Sequence, residues 1–216
     1  KGVEDRASSK GYSVLICNTE ARSPNKEAEQ VELLLRKQID GIIFMSSSSQ
    51  KMESYIWELQ QIKIPFVLIN RDVVDCNVNQ IRMRHDKGMY MAVEHLARLG
   101  HKRIGYIGRS PVGRTILDQM KGYETAVKEL GLESSPELMY IHDREDVDVG
   151  RAGISRLLQL KAPPTGLVCI NDYIALGAIQ KALSEGVSVP EKLSVVGYHD
   201  LNCARLMIPL ITTIHH

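Results

Sequence analysis

The chain has 216 residues, and its 27 Lys and Arg residues against 26 Asp and Glu residues leave a formal net charge of +1. Charged residues make up 25% of the chain and apolar residues 44%, which excludes a low-complexity or collagen-like sequence and argues against wholesale disorder. Because phosphate binding needs an excess of Lys and Arg, this balance gives no electrostatic signal for nucleic-acid binding by these residues.

Neither a membrane span nor a metal site is predicted. The longest apolar runs, residues 41–45 and 66–69, are strand-sized, whereas a spanning helix needs about 20 residues. The opening residues 1–6 do not resemble a signal peptide. The four cysteines are widely spaced without a CxxC pair, and Cys17 and Cys169 lie in apolar runs that predict burial. These features favour a reducing cytoplasm.

Short apolar runs alternate with helical patterns along the first half of the chain. A helical pattern opens the sequence near residues 3–7, and residues 12–17 form the first β-rich run. The spacing then predicts a helix from residue 25, a strand over 42–45, a helix over 52–59 and a strand over 66–69. An irregular polar stretch follows over residues 72–84.

The second half repeats this rhythm. The periodicity predicts helices over 89–96, 115–130, 149–160 and 173–184, and strands over 104–107, 138–141, 167–170 and 193–196. Uniformly apolar strands without alternation indicate strands covered on both faces. The α/β alternation therefore predicts doubly wound parallel sheets with helices on both sides.

The number of strand–helix units is too large for one ordinary sheet, which predicts two subdomains. We expect an incomplete first subdomain over residues 1–86, a second over 87–210, and the start of a crossover back to the first over 211–216. The sequence opens within a helix that no strand precedes, and it stops as another strand begins. Since an unpaired sheet position is costly when buried, the sequence is expected to be part of a longer polypeptide.

The most enzyme-like feature is the stretch 108–115, which follows a strand and opens a helix. It has phosphate-loop spacing, but Arg114 stands where the loop's lysine would be, so nucleotide hydrolysis is disfavoured. A loop that binds an anion or a hydroxyl group and a plain turn both remain open. Asn171 and Asp172 also follow a predicted strand, where a ligand contact and a helix N-cap, which either residue could form, are compatible roles.

A catalytic pair at His199 and Asp200 is disfavoured, because adjacent residues on an extended chain point to opposite faces. The sequence also lacks a GxSxG or cysteine-centred nucleophile motif. No enzymatic activity and no cofactor are therefore expected.

The chain resembles the effector-binding core of LacI/GalR-type bacterial transcription regulators. The most specific matches are Leu-Gly-His-Lys-Arg-Ile at residues 99–104 and Pro-Leu-Ile-Thr-Thr-Ile at residues 209–214. Further matching stretches run in order along the chain, at residues 2–7, 11–12, 31–35, 40–43, 94–108, 122–123, 171–177 and 194–198.

The resemblance implies two subdomains of the periplasmic-binding-protein-like type I fold, without the first strand and the C-terminal return segment. It also implies a small effector in the cleft between them, a homodimer, and operator binding through an N-terminal helix-turn-helix domain that this chain lacks. The dimer interface is expected at Leu176, Met207 and Ile208.

Carried over by position, the resemblance predicts an unusual ligand site. Ser46, Asn70, Thr115 and Asn171 fit positions that contact ligands in the family. Gln119 stands where the family has a ligand-clamping Arg. Glu145 and His199 replace a stacking aromatic residue and a sugar-binding Asp. Because Arg and Asp clamp sugar hydroxyls with charge-assisted hydrogen bonds, an ordinary sugar effector is in doubt.

These departures lead to two hypotheses about the effector. It is either an anionic metabolite held by Arg114, Thr115 and His199, which Glu145 argues against, or its role has been lost or passed to a protein partner. The sequence-based interpretation is the ligand-binding and dimerisation core of a repressor that responds to a sugar-like or anionic effector. The alternative is a periplasmic sugar-binding transport receptor.

Overall fold

The computed structural model describes residues 1–18, 24–45, 53–71, 78–111 and 113–215. The chain divides into two compact units, Lys1–Ile81 and Arg82–His216. Both are α/β units with parallel sheets, as the alternation of apolar runs and helical patterns predicts. Residues 82–86, at the predicted subdomain boundary, belong with the second unit.

The first unit contains three helices and a small parallel sheet among its described residues. The sheet has the order β1-β2-β3, and its buried core includes Val31, Phe44, Ile56 and Leu68. The elements are α1 (Gly2–Ser8), α2 (Pro24–Arg36), β1 (Ile42–Met45), α3 (Glu53–Gln61), β2 (Phe66–Ile69) and β3 (Gln80–Ile81). The short β3 was not predicted, because it falls at the end of a polar stretch with no apolar run.

Three predictions fail in this unit. Residues 12–17 do not form a strand, because no described strand lies beside them to complete the hydrogen bonds a strand requires, and Ile16 is 85% exposed. Cys17 in that run is exposed rather than buried. Strand β1 is covered on one face only, with Ile42 and Phe44 buried while Ile43 and Met45 are exposed.

The second unit contains a five-stranded parallel sheet with the order β5-β4-β6-β7-β8. Its strands are β4 (Ile104–Arg109), β5 (Met139–His142), β6 (Gly166–Cys169), β7 (Ser194–Tyr198) and β8 (Thr212–Ile214). Its helices are α4 (His85–Arg98), α5 (Arg114–Glu129), α6 (Val147–Leu158) and α7 (Asp172–Ser184), with short 3-10 helices at Pro136–Leu138 and Asn202–Arg205. Strand β8 pairs with β7, so residues 212–214 are part of this sheet.

The central strands of the second unit are covered on both faces, as their uniformly apolar sequences predict. Strand β6 is buried throughout, and β4 and β7 are buried except at one end. The core of the unit is a single apolar cluster that includes Leu96, Ile107, Leu157, Val168 and Ile179. A sheet whose central strands are packed on both faces gives fixed positions to the loops at its strand ends.

The amino edge of this sheet, the end at which the strands begin, is held by the family-specific stretch 99–104. The side chain of Arg103 is 11% exposed and forms ion pairs with Glu133 and Glu137. Its Nε donates a hydrogen bond of 2.5 Å to the carbonyl oxygen of Ala162. His101 Nδ1 lies 2.9 Å from the hydroxyl of Thr165. The stretch therefore ties together the segments that enter β4, β5 and β6.

Candidate functional site

The strand order predicts a crevice at the end of the sheet opposite the amino edge, where the strands of the second unit finish. The chain runs from β4 to β5 on one side and then crosses to β6 on the other side of β4. In open parallel sheets, ligands bind outside the carboxyl ends of the strands at such a switch point. We use the name carboxyl edge for the described residues that follow these strands: 110–111, 113–114, 143–146, 170–172, 199–200 and 215.

Asn171 lies beside the switch point, directly after β6. Its Oδ1 accepts a hydrogen bond of 2.8 Å from the backbone N–H of Ile174, so it caps helix α7. Its Nδ2 donates to the carbonyl oxygen of Glu145 at 3.2 Å. The predicted cap is confirmed, and the same side chain joins the loops that follow β6 and β5.

Gln119 is fully buried on helix α5 and reaches the same strand end. Its Nε2 donates a hydrogen bond of 3.1 Å to the carbonyl oxygen of Ile170. Its Oε1 has no hydrogen-bond partner among the described residues. Since only the amide nitrogen can donate to a carbonyl, this contact fixes which atom of the carboxamide is left without a partner.

The hydroxyl of Tyr106 is the second buried side-chain atom in the described residues that has no hydrogen-bond partner. The ring of Tyr106 packs against Tyr123 of α5, with centroids 5.1 Å apart. It also lies over Gly108, where a Cβ would be 2.7 Å from the hydroxyl oxygen. The hydroxyl is therefore directed along β4 toward its carboxyl end, and glycine is needed at residue 108 to admit it.

The arginines around the carboxyl edge are paired with carboxylates. The Nε of Arg114 lies 2.8 Å from Asp118, and a nitrogen of Arg109 lies 3.4 Å from Glu145. Other pairs join Arg84 to Asp86, Arg144 to Asp146, and Arg205 to Asp200. The hydrogen bond from Arg84 holds the pKa of the Asp86 carboxyl at about 2.

His199 and Asp200, which follow β7, both adopt left-handed backbone conformations, with φ values of 94° and 52°. Such conformations are strained in residues other than glycine and are concentrated at functional sites. The His199 ring packs edge-on against Tyr198 at 5.0 Å and lies 6.4 Å from the ring of His85. His85 is itself buried, with its Nδ1 at 3.3 Å from the Tyr198 hydroxyl.

Asp172 is a buried residue of this edge whose hydrogen bonds differ from the predicted helix cap. Its carboxylate accepts hydrogen bonds of 2.6 Å from the backbone N–H of Leu201 and from the hydroxyl of Thr213. Burial raises its pKa. A Cβ at Gly197 would lie 2.1 Å from Asp172 Oδ1, so a glycine is needed there. The adjacent Asn171 gave a cap signal, but the bonds of Asp172 to β8 depend on strand positions that the sequence does not show.

Six predicted ligand residues lie at or beside the carboxyl edge of the second unit. The structure joins Asn171 to the Glu145 backbone and Gln119 to Ile170 by hydrogen bonds. The six are Arg114, Thr115, Gln119, Glu145, Asn171 and His199. Ser46 lies outside the described residues, and Asn70 ends β2 in the first unit with φ at 52°. Ligand contact by any of these residues stays a prediction.

The predicted dimer residues have different surroundings. Leu176 and Met207 are partly buried against the core of the second unit. Ile208 is 93% exposed, and its neighbours Leu206 and Leu210 are 82% and 70% exposed. The apolar segment 206–210 is therefore available for association.

Two further kinds of site were searched for within the described residues. No cluster of three or more His, Cys, Asp or Glu side chains has the arrangement of a metal site there. No helix in that part of the chain has the length and apolar character needed to cross a membrane.

Residues 93–216, more than half of the chain, match the family described as periplasmic binding protein-like domain. The chain belongs to this family. Within it, the HTH-type transcriptional repressor PurR of Mannheimia succiniciproducens is 32% identical to the chain over 218 residues. That match covers 99% of the chain and 63% of the repressor, so the chain spans less than two thirds of this relative's length.

Solved structures of periplasmic binding protein-like domains agree with this assignment. The transcription regulator CcpA of Lactococcus lactis is 26% identical with a TM-score of 0.82, over 100% of this chain and 77% of CcpA. A regulatory protein of the LacI family from Chloroflexus aggregans is 25% identical with a TM-score of 0.85, over 97% of this chain and 74% of that one. The resemblance is confirmed: the chain is an effector-binding core of the LacI/GalR type, and the relatives named here are transcription regulators, not enzymes or transport receptors.

Proposed function

We propose that the chain is the ligand-binding and dimerisation core of a repressor whose affinity for operator DNA is set by a small-molecule effector. The observation that carries this proposal is the relationship to the PurR repressor, which extends over 99% of the chain. We assign DNA binding to a helix-turn-helix domain of the full-length protein, in a region that corresponds to the part of the PurR repressor outside the match. A protein of this kind works in the cytoplasm.

The effector site is placed at the carboxyl edge of the second unit, around the ends of β4 and β6. The contacts of Gln119 and Asn171 support this location, because both side chains are buried at the switch point. The strained pair His199 and Asp200 lies at the end of the neighbouring strand β7. This arrangement holds polar groups in fixed positions around a crevice, as a ligand site requires.

The effector acts by binding one conformation of the repressor more tightly than another. It shifts the balance between a state that binds the operator and a state that does not, by no more than its difference in affinity for the two. No bond in the effector is made or broken, so the molecule released is the molecule that bound.

Dimerisation is assigned to the exposed apolar segment 206–210, together with Leu176. Leu206, Ile208 and Leu210 place three large apolar side chains in solvent within five residues. Contact with the same segment of a second copy would remove this surface from water. Replacing Ile208 with Asp is expected to shift the sedimentation coefficient toward that of a monomer, whereas Leu117→Asp, at a half-exposed leucine of α5 outside the assigned interface, is not.

The proposed function is tested on the full-length protein, by fluorescence anisotropy with its own upstream promoter fragment. Adding the small molecule that this chain binds is expected to change the affinity for DNA by about fivefold or more. Equal DNA affinity with and without that molecule would contradict the assignment of an effector-controlled repressor.

A further inference from the structure

The second unit has a cavity between the last turns of α4 and the starts of β7 and β8. We infer that this cavity is a second small-molecule site, which binds an uncharged ring compound that carries one hydroxyl group. That compound is distinct from the effector of the carboxyl edge, so the inference goes beyond the proposed function. Three observations support it: the volume of the cavity, the chemistry of its lining, and one weakly bonded hydroxyl group.

The volume of the cavity limits the size of its ligand. The cavity measures about 150 Å³ and is partly open to solvent. Leu96 and Leu99 of α4, Val195 of β7 and Thr212 of β8 contribute to its walls. An apolar cavity of about 150 Å³ in a protein core is large enough to hold benzene. One ring with a short substituent therefore fits, whereas a nucleotide or a disaccharide does not.

Apolar side chains dominate the lining. Leu96, Ile179 and Val196 are almost fully buried and form part of the core of the unit. The side chains of Pro209 and Leu210 complete the wall beside them. A water molecule inside a protein needs two to four polar partners, which apolar walls do not supply. An apolar ring gains from leaving water for such walls, so it is the better occupant.

The charge of the lining selects an uncharged ligand. Among the described residues that line the cavity there is no Asp, Glu, Lys or Arg. His95 also lines it, on a solvent-exposed position of α4. Moving an ionised group from water to these walls costs free energy that an opposite charge would have to offset. The site therefore favours a neutral molecule over a carboxylate or an ammonium ion of the same size.

Ser194, the first residue of β7, supplies a polar contact. Its hydroxyl lies 3.4 Å from the carbonyl oxygen of Pro190, and both residues line the cavity. Hydrogen bonds between a hydroxyl and an oxygen are usually about 2.5–3.0 Å long, so this one is weak. The Ser194 hydroxyl can therefore turn to a ligand at little cost. A hydroxyl on the ligand suits it, because each of the two groups can donate and accept.

The inference is tested by NMR on the chain with labelled Ile, Leu and Val methyl groups, titrated with benzyl alcohol. The largest shifts are expected at Leu96, Ile179 and Val195, with a dissociation constant of about 1 mM or lower. Benzoate and benzylammonium carry a charge on the same ring, and glycerol has hydroxyl groups without a ring. Each should bind at these methyl groups about tenfold or more weakly. Tighter binding of any of the three there, or benzyl alcohol shifts centred elsewhere, overturns the inference.

Two variants locate the binding in the cavity. Ser194→Ala removes the hydroxyl and is expected to lower affinity for benzyl alcohol about threefold to tenfold. Ser155→Ala, at a partly buried serine of α6, is its matched control. Leu99→Trp places a ring at the mouth, where Leu99 is 61% exposed, and should abolish binding, whereas Leu117→Trp on α5 should not. Urea unfolding establishes that each variant is folded. Wild-type affinity in both Ser194→Ala and Leu99→Trp overturns the inference.

A side chain from a second copy of the chain is the competing occupant, because Pro209 and Leu210 belong to the exposed segment 206–210. Ile208→Asp, which is expected to be monomeric, decides between the two. Benzyl alcohol should bind wild type and Ile208→Asp with affinities within about twofold of each other, at the highest protein concentration used. Binding to Ile208→Asp alone would assign the cavity to the contact between copies. That result overturns the inference and leaves the proposed function standing.

Discussion

The two edges of the sheet in the second unit hold their polar groups in different ways. At the amino edge, Arg103 is tied to Glu133, Glu137 and Ala162, and His101 to Thr165. These bonds join residues from three connecting segments and leave the groups satisfied. At the carboxyl edge, Gln119 and Tyr106 each keep a buried atom without a partner, and His199 and Asp200 have strained backbones.

This difference separates stability from ligand recognition in one unit. A satisfied network stabilises the fold, while buried groups without partners and strained residues reduce stability unless something else uses them. The polar network of the amino edge is therefore expected to affect the free energy of unfolding alone. The carboxyl edge is expected to affect affinity for the effector, except at residues such as Asp172 whose hydrogen bonds are already made.

The largest effect on the free energy of unfolding is expected at Asp172, a residue of the carboxyl edge whose hydrogen bonds are already made. Asp172→Ala leaves the N–H of Leu201 and the hydroxyl of Thr213 without their buried acceptor, so the free energy of unfolding should fall by about 3 kcal/mol. Urea denaturation measures it, with the exposed Asp148→Ala as control. A loss below about 1 kcal/mol would show that this carboxylate does not join α7 to β8 as described.

Arg103→Met tests the amino edge. The variant removes the partner of two carboxylates and of a backbone carbonyl oxygen, and is expected to cost about 2 kcal/mol in the free energy of unfolding. Affinity for an effector probe, a sugar-like or anionic small molecule that the chain binds, should stay within about twofold of wild type, because the proposed site lies at the other edge. The control Arg98→Met removes an exposed pair with Glu94 and should cost little. A loss of affinity without a loss of stability would reverse the comparison.

Asn171→Ala separates capping from ligand contact at the carboxyl edge. Loss of the cap on α7 is expected to cost about 1 kcal/mol in the free energy of unfolding, and affinity for the effector probe should fall as well. Asp146 caps α6 in the same way, so Asp146→Ala is the matched control for the loss of stability. Wild-type affinity in Asn171→Ala would limit Asn171 to a structural role.

The smallest effect concerns pH. The pKa of Asp86 falls from 3.8 to about 2, chiefly through the hydrogen bond from Arg84, so its stabilisation is complete above about pH 4 and is lost as pH falls toward 2. Because the Arg84 side chain is 73% exposed, the contribution should stay below about 1 kcal/mol. The difference in the free energy of unfolding between wild type and Arg84→Gln should therefore shrink from pH 5 to pH 2. A difference that grows toward low pH would contradict this cause.

The fold of the second unit could be predicted from the sequence because its strands are uniformly apolar and its helices are strongly periodic. The run at residues 12–17 has the same appearance, yet it forms no strand, since a strand also needs a partner that composition does not reveal. Strand β3 was missed for the opposite reason: it is a polar pair, Gln80 and Ile81, that has a neighbour in β2 to bond.

The candidate site was only partly predictable. Strand ends identified Asn171 and His199, and the family resemblance identified Gln119. The sequence could not show that Arg114 is paired with Asp118, nor that Arg109 is paired with Glu145 from another strand end. The partners of Arg103 lie about 30 residues or more away in sequence, beyond the reach of local pattern.

The most direct test of the account is an NMR titration of the chain with the effector probe that it binds, following the backbone amide signals. The account predicts that the largest shifts fall at residues 113–119, 170–175 and 198–201, while those of residues 101–104, 133 and 165 stay unchanged. Shifts concentrated at the amino edge, or none at the ends of β4 and β6 under saturating probe, would contradict it.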